Sequence, residues 1–428
     1  MMKAFRRLFR LCPSLICASM VLAALGAAPD ASAQSPPPRH KLLVLSVDGL
    51  DWRYLRDRDA MGLRIPNLRR LMAQGATAQG VVGVWPTITW PSHTSIITGV
   101  RPDQHGILSN ATRGVAFTES YWSAKTLKAQ TLWQCAGQAG LTTAAVTWPV
   151  TVDAAITYNL PEAAMRRNGG SMDLDAVAAT ATPGLVAEIT ALYPSFAQQW
   201  VDDRTRTQAV LFLLRKKQPD LILAHLVDLD SEEHDQGPFA ANANAILERT
   251  DELIGDILAA LPKGYDLVIT SDHGFERLDR MTNLATAMAQ AGITGDLQAM
   301  GGLVTTKDPA VAAWLRGQSG QAGSDVGREV PHAELVRYAP KLADAVAAFE
   351  PADHVIFFRS ADGALHSAPR EKGEHGFWPL RHDYRSVYIA YGPGIAPGSL
   401  PELQMLDLKD RLAALLGIQC LTQGKSFP

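Results

Sequence analysis

The sequence predicts an α/β fold, with a doubly wound, mostly parallel central sheet flanked by helices. Three observations carry that expectation. Short apolar runs rich in branched residues recur at Lys41–Val47, Leu221–Val227 and Asp266–Thr270, with the length and composition of strands buried on both faces. Stretches of helical period separate them, notably Ile65–Ala76 and Ala241–Leu261. Each of the three runs leads into an aspartate: Asp48, then Asp228 and Asp230, then Asp272. The carboxyl ends of parallel strands are where such folds bind ligands.

The first forty residues stand apart from that pattern. Lys3, Arg6, Arg7 and Arg10 form a charged segment, an apolar run follows from Leu11 to about Ala28, and Ala31-Ser32-Ala33 supplies a small-x-small cleavage signal. Residues 1–33 therefore read as a signal peptide, cut before Gln34, which implies a secreted or periplasmic protein. The alternative is an uncleaved anchor, but the run is short and holds Pro13, Ser14 and Ser19. Residues 34–40, with three prolines, read as a linker. The whole chain carries 40 Lys+Arg and 43 Asp+Glu; without residues 1–33 it keeps 36 and 42. No basic field remains to hold a nucleic-acid polymer, and no other segment approaches the length of a membrane span. Only Cys135 and Cys420 survive processing. They can pair in an oxidising compartment, but sequence does not bring them together.

Residues 41–428 suit one large domain. Lys41–Val47 reads as a first strand ending in Asp48-Gly49, Ile65–Ala76 as a helix, and Thr77–Val84 as the next strand. Leu132–Gly140 is helical and Leu141–Thr147 a strand. Asp202–Lys216 is helical. Leu221–Val227 is a strand entering a loop, Asp228–Pro238, in which His234 follows Asp230 by four residues. Ala241–Leu261 is a long helix. Asp266–Thr270 is a strand entering Ser271-Asp272-His273-Gly274. Leu278–Gly292 reads as a helix. Residues 294–368 are mixed, with a helix near Leu342–Ala348 and a strand at His354–Phe358, and read as an inserted cap. Then come His375-Gly376, a strand at Ser386–Tyr391 and a last helix at Asp407–Leu416.

The stretch Trp85–Asn110 organises the rest. It reads as a turn holding Thr89, then a short helix with Pro91 at its first position and Gly99 past its end. A hydroxyl there has free backbone N–H groups beside it, which favour an anion such as phosphate. Alone, Thr89 reads as a helix cap in preference to a functional hydroxyl. Asp48, Asp230, His234, Asp272, His273 and His375 change the balance. Oxygen and imidazole donors in this number suit zinc and related divalent ions. Two ions about 4 Å apart would clamp the attacking and leaving oxygens of a phosphoryl displacement.

On these motifs the chain resembles the alkaline phosphatase superfamily, and within it the type I phosphodiesterase/nucleotide pyrophosphatase family. The matching elements, in order, are Asp48-Gly49; Pro86 to His93 with Thr98-Gly99 and His105-Gly106-Ile107; Asp230 to Pro238; Ser271 to Gly274; and His375-Gly376. The resemblance implies an alkaline-phosphatase-like fold and two Zn2+, although other divalent metals are possible. Asp48, Thr89, Asp272 and His273 would hold one ion; Asp230, His234 and His375 would hold the other. Thr89 would be the nucleophile of a phosphothreonine intermediate. The substrate would be a small phosphodiester or pyrophosphate of nucleotide type. His93, His105 and Asn110 would hold turns or ligands rather than act directly.

Three positions depart from the family pattern. Trp90 stands for phenylalanine or tyrosine and keeps an aromatic wall against the substrate. Ser92 stands where an asparagine is usual and offers a shorter donor to a phosphoryl oxygen. Glu233 stands for a glycine before His234, so the loop must bend differently if that position needs φ > 0. Two other readings remain: a phosphomonoesterase or phosphonate hydrolase on the same core, or a metal-binding envelope protein without catalysis. Monoester specialists tend to place a cationic side chain on the phosphoryl oxygens, and no arginine closely flanks Thr89, although Arg101 and Arg113 could fold back.

Overall fold

The strand Lys41–Val47 (β1) lies in the middle of the fold because its side chains are apolar on both faces. In the computed structural model the described residues are 41–110, 123–162, 166–167, 171–172, 174–196, 198 and 201–420. The leader and linker expected over residues 1–40, and Arg113, lie outside them.

Seven further strands complete the central sheet: β2 (Ala76–Ala78), β3 (Thr143–Val146), β4 (Tyr158–Leu160), β5 (Leu221–Leu226), β6 (Tyr265–Thr270), β7 (Tyr388–Tyr391) and β8 (Gly398–Leu400). Their order is β8-β2-β7-β6-β1-β5-β3-β4. β1 runs parallel to β5 and β6, and β3 parallel to β5 and β4. Of these eight strands only β7 makes antiparallel pairs, against β6 and β2. The fold class read from the sequence is the one observed.

Seven helices flank this sheet or carry residues of the site: α1 (Pro66–Gln74), α2 (Thr89–Thr98), α3 (Leu132–Gln138), α4 (Asp203–Phe212), α5 (Asp228–Gln236), α6 (Ala241–Ala260) and α7 (Leu408–Leu415). Alternate residues of β1 face opposite cores. Leu43 and Leu45 pack with Leu247, Ile254 and Ile257 of α6. Leu42 and Val44 pack with Ile96 and Ile97 of α2 and Leu408 and Leu412 of α7. Both faces are thus covered, as a parallel sheet requires.

The register places the site. Ser46 pairs with His225 of β5 and with Thr270 of β6. Asp48 therefore emerges level with the start of α5 and with the Ser271–Gly274 turn.

Local structure departs from expectation in five places. Thr77–Val84 is not one strand: Ala76–Ala78 lies in the central sheet, and Val81–Val82 pairs with Leu403–Gln404 in a separate sheet. Asp228–Gln236 is a helix, not a loop, and it ends at Gly237 with φ 87°. Helix α2 starts at Thr89 with Ile88 as its cap, so Pro91 is its third residue rather than its first. Proline is tolerated there because first-turn N–H groups have no partner within the helix. Leu278–Gly292 divides into a strand, Arg280–Asn283, and a helix, Leu284–Gln290, where the Asn283 side chain accepts from Ala285 N. Residues near 342–348 form no helix beyond the short turn Pro340–Leu342. Ala347–Pro351 is a buried strand between Val304–Thr306 and Val326–Glu329, and cross-strand pairing there outweighs alanine's helical preference.

Cys135 of α3 and Cys420 form a disulfide, with Cα atoms 5.5 Å apart and 285 residues between them in sequence. A cross-link closing so long a loop removes much entropy from the unfolded chain, about 5–6 kcal/mol on the chain-entropy model. Reduction, or Cys135→Ala with Cys420→Ala, is expected to lower the thermal unfolding midpoint by several degrees. A midpoint unchanged by both treatments would contradict this.

His105, in the turn after α2, is fully buried. Its Nδ1 accepts from Ile107 N at 3.2 Å, and its Nε2 lies 3.0 Å from Ser95 Oγ. Burial lowers its pKa from 6.5 to about 3. The unfolded chain takes up this proton near pH 6.5 and the native chain only near 3. The contribution is therefore complete above pH 6.5 and is lost as pH falls through that window, by as much as about 5 kcal/mol. Urea unfolding at pH 7, 6 and 5 is expected to show a shallower loss for His105→Gln than for the parent.

Candidate active site

Two side-chain groups meet above the carboxyl ends of β1, β5 and β6. The first joins Asp48, Asp272 and His273; the second joins Asp230, His234 and His375. In the first, His273 Nε2 lies 3.3 Å from Asp48 Oδ1 and 3.1 Å from Asp272 Oδ2. In the second, His234 Nε2 lies 3.6 Å from Asp230 Oδ2, and His375 Nε2 lies 3.8 Å from Asp230 Oδ1. The groups adjoin: His273 Nε2 is 3.9 Å from Asp230 Oδ1, and the His273 and His375 rings stack at 3.9 Å.

Each ligand-bearing segment is held from behind. Gly49 N donates to Asp272 Oδ1 at 3.3 Å. Ser271 Oγ donates to His273 O at 3.0 Å. Phe275 N donates to Asp51 Oδ2 at 3.2 Å, while Arg53 donates to Phe275 O and grips Asp51 through two further bonds of 2.9 Å. Asp51 and Arg53 thus clamp the turn carrying Asp272 and His273. Helix α5 puts Asp230 and His234 one turn apart on one face. Its first N–H groups, of Val227 and Asp228, donate to Asp203 at 2.7 and 3.1 Å. Gly376 N donates to Thr87 O at 3.0 Å, tying His375 to the Thr89 turn.

Glu233 needs no positive φ, because it lies within α5. Its side chain is buried and Oε1 accepts from Tyr54 Oη at 2.8 Å. Burial pushes this carboxyl well above its usual range.

Thr89 opens α2 and is 9 % exposed. His93 links it to the first group, with Nδ1 2.9 Å from Thr89 O and 3.5 Å from Asp272 Oδ2. Trp90 N donates to Asn110 Oδ1 at 2.9 Å. Trp90 is 4 % exposed and packs on Ile107, Val150 and Val152. Ser92, in the first turn, is fully buried, and its Oγ is among the buried atoms of the described residues that have no hydrogen-bond partner. Arg101 pairs with Asp103 at 3.1 Å.

The electrostatics favour a cation. Burial, then Asp272 and Asp230, push the Asp48 carboxyl well above its ordinary value. Burial works to raise Asp272 as well, but His273 and then His93 hold it well below. Among the described residues, five buried atoms of the two groups have no hydrogen-bond partner: Asp48 Oδ1, Asp272 Oδ2, His273 Nε2, Asp230 Oδ1 and His375 Nδ1. Buried polar atoms left bare are costly, and four of these five face one another across the two groups. Carboxylate and imidazole donors in two adjoining clusters fit a pair of divalent ions.

Residues 42–367 match the model of the family described as "Type I phosphodiesterase / nucleotide pyrophosphatase". The chain belongs to this family. Its members are metal-dependent hydrolases acting on phosphoric esters. Among curated relatives, human ectonucleotide pyrophosphatase/phosphodiesterase family member 5 is 23% identical over 440 residues, covering 96% of this chain and 80% of the relative. Human bis(5'-adenosyl)-triphosphatase ENPP4 is 23% identical over 406 residues, covering 91% and 80%. Among solved structures, an inactive variant of murine ectonucleotide pyrophosphatase/phosphodiesterase 5 in complex with AMP superposes with a TM-score of 0.63 at 20% identity, over 90% of this chain and 97% of that one. That likeness is one of fold, and it places this family member on an alkaline-phosphatase-like scaffold. No helix among the described residues is long and apolar enough to cross a membrane.

Three residues of the site were not singled out from sequence alone: His225, Asp51 and Asp203. His225 had a visible signal, being the one imidazole within the apolar run Leu221–Val227. Asp51 and Asp203 had none, since each acts on backbone far away in sequence.

Proposed function

We propose that this family member is an exported two-zinc hydrolase that cleaves phosphodiester or pyrophosphate bonds of nucleotide-type substrates through a phosphothreonine intermediate at Thr89. The observation that carries the reading is the pair of adjoining donor groups, with bare buried atoms, beside the first residue of α2. Asp48, Asp272 and His273 with Thr89 would hold one ion; Asp230, His234 and His375 would hold the other. Bound zinc would supply charge to lower the hydroxyl pKa of Thr89 and to offset charge on the leaving oxygen.

The chain's own residues do the rest. Thr89 Oγ attacks phosphorus as its proton passes to solvent. The bond from phosphorus to the leaving oxygen breaks, and that oxygen takes up a proton. Water then cleaves the phosphothreonine, so that diester and water become monoester and alcohol. Side-chain donors to a phosphoryl oxygen would be Ser92, whose buried Oγ has no hydrogen-bond partner among the described residues, and Asn110. Its Oδ1 is taken by the N–H next to Thr89, which leaves its Nδ2 hydrogens for a phosphoryl oxygen. His93 holds the Thr89 carbonyl.

The mature protein would begin at Gln34, with a linker to residue 40 and a cap at about 294–368 on the catalytic domain. The relatives named as ectoenzymes support export.

Turnover of bis(p-nitrophenyl) phosphate and p-nitrophenyl phosphate by zinc-loaded residues 34–428 tests the reading. A diester preference is expected. A monoester preference would overturn the substrate class and keep the core. No turnover of either, with two zinc bound, would overturn the catalytic reading.

A further inference from the structure

His225 is buried in β5, where its neighbours are apolar. A lone imidazole there is costly unless its N–H has a partner. Nε2 lies 3.0 Å from Asp48 Oδ2, and Nδ1 lies 3.3 Å from Thr147 O. A neutral ring carries one N–H, and the shorter contact, to a carboxylate, takes it.

The partner it chooses is informative. Asp48 has two carboxylate oxygens. Oδ2 meets His225, while Oδ1 is buried, has no hydrogen-bond partner and faces His273 Nε2 at 3.3 Å. Asp272 is divided in the same way: Oδ1 accepts from Gly49 N, and Oδ2 is bare toward His273 at 3.1 Å. Each carboxylate of the first group thus has one oxygen engaged from behind and one left forward. For Asp272 the engaging donor is backbone. For Asp48 it is the His225 ring.

The ring is itself braced. It packs against the His93 ring at 4.2 Å, and His93 in turn contacts Ser46 Oγ and Thr89 O at 2.9 Å each. Thr147 Oγ1 donates to His225 O at 3.0 Å, and Thr147 adopts φ 48°, a region that branched side chains avoid. Strained backbone of this kind persists where its surroundings hold it, and it gathers at functional sites. Here the strained residue holds His225 through its backbone carbonyl.

We propose that His225 is a positioning residue for the first metal group: by occupying Asp48 Oδ2 it presents Oδ1 alone to the ion, with the ring packed against His93 and the backbone held by Thr147. The inference rests on the two-zinc reading, since it takes Asp48 as a ligand. A ligand's outer hydrogen bond fixes its orientation, and losing such a bond typically weakens metal binding 10- to 100-fold. That loss falls on one of the two ions, because the carboxylate that His225 orients belongs to the first group.

The test uses the full mature chain with His225→Phe, which keeps the ring and removes the donor, and His225→Gln, which keeps a donor at the reach of Nε2. Each is equilibrated in zinc buffers of falling free zinc, and bound zinc is counted. The parent is expected to hold two ions where the Phe variant holds one, with the weaker site shifted about 10- to 100-fold. The Gln variant is expected to stay nearer the parent. Excess zinc is expected to restore most of the Phe variant's kcat, because geometry of binding was lost and no reacting group was.

Equal zinc titrations for the parent and the Phe variant would overturn the proposal. So would equal losses in Phe and Gln, or loss of both ions together, since these mark a packing role. Should the Phe variant not fold, Gln against Asn decides, because Asn is one methylene too short to reach Asp48; equal zinc binding by that pair would overturn the proposal. A parent that binds no zinc overturns the two-zinc reading instead, which separates the two failures.

Discussion

Thr89→Ala is expected to reduce diester turnover by a factor on the order of 10^4 or more, because on the proposed mechanism it removes the atom that would form the intermediate. The fold is expected to survive. Thr89 contributes its hydroxyl to the site, while the helix around it is held by contacts that alanine keeps. Its N-cap is Ile88, which has no side-chain bond to lose, and the Thr89 carbonyl still meets His93 Nδ1. Zinc content is expected to stay near two per chain, because three further ligands serve the same ion.

Thr89→Ser restores a hydroxyl at the same place and is expected to recover most of the activity. What serine lacks is the methyl group, which narrows the choice of side-chain rotamers. The measurement is kcat/KM on bis(p-nitrophenyl) phosphate for the parent and both variants, with a zinc assay beside it. Alanine activity within tenfold of the parent would remove Thr89 from the mechanism. A serine variant as inactive as alanine, with zinc still bound, would move the role of Thr89 from nucleophile to packing.

Removing the metal is expected to have an effect of similar size on activity and a large one on stability. Three buried carboxylates, Asp48, Asp230 and Asp272, converge with little between them except His273. Burial and mutual repulsion already raise the Asp48 carboxyl well above its usual range. Without cations, that cluster must take up protons or separate. Ions binding only the native state stabilise by mass action, about 4 kcal/mol per site when free zinc exceeds Kd by a thousandfold.

Dialysis against a strong chelator is therefore expected to abolish turnover and to lower the thermal midpoint, with both restored by added zinc. Asp272→Asn is expected to reproduce the loss of activity, with one ion retained at Asp230, His234 and His375. An apo protein that keeps the holo midpoint would show that the acidic cluster is relieved by other means. An Asp272→Asn variant that keeps two tightly bound ions would remove Asp272 from the ligand set.

Much of the site was legible because it sits at strand ends. Asp48, Asp272 and His273 directly follow buried strands, and short apolar runs are a strong local signal. His375 and Thr89 were marked by glycine and proline nearby. The helix Asp228–Gln236 was missed for a local reason: its acids and its glycine before proline read as a loop. Packing against α6 and hydrogen bonds from Val227 N and Asp228 N to Asp203 make it helical. The strand Ala347–Pro351 was missed in the same way, since alanine-rich sequence becomes a strand only when neighbours supply a ladder.

Local sequence was enough for the layered α/β fold, the order of the motifs and the kinds of donor atom available to a metal. These follow from hydrophobic period, turn chemistry and side-chain type, which are properties of neighbours along the chain. How the donors meet is a tertiary matter. The register of β1 against β5 and β6 brings Asp48 level with residues nearly two hundred positions away. Long-range packing likewise buries Trp90 and Ser92, carries Cys135 to Cys420, and stands His225 behind Asp48. Contacts between residues distant in sequence depend on which faces the whole sheet buries, and no local pattern encodes that.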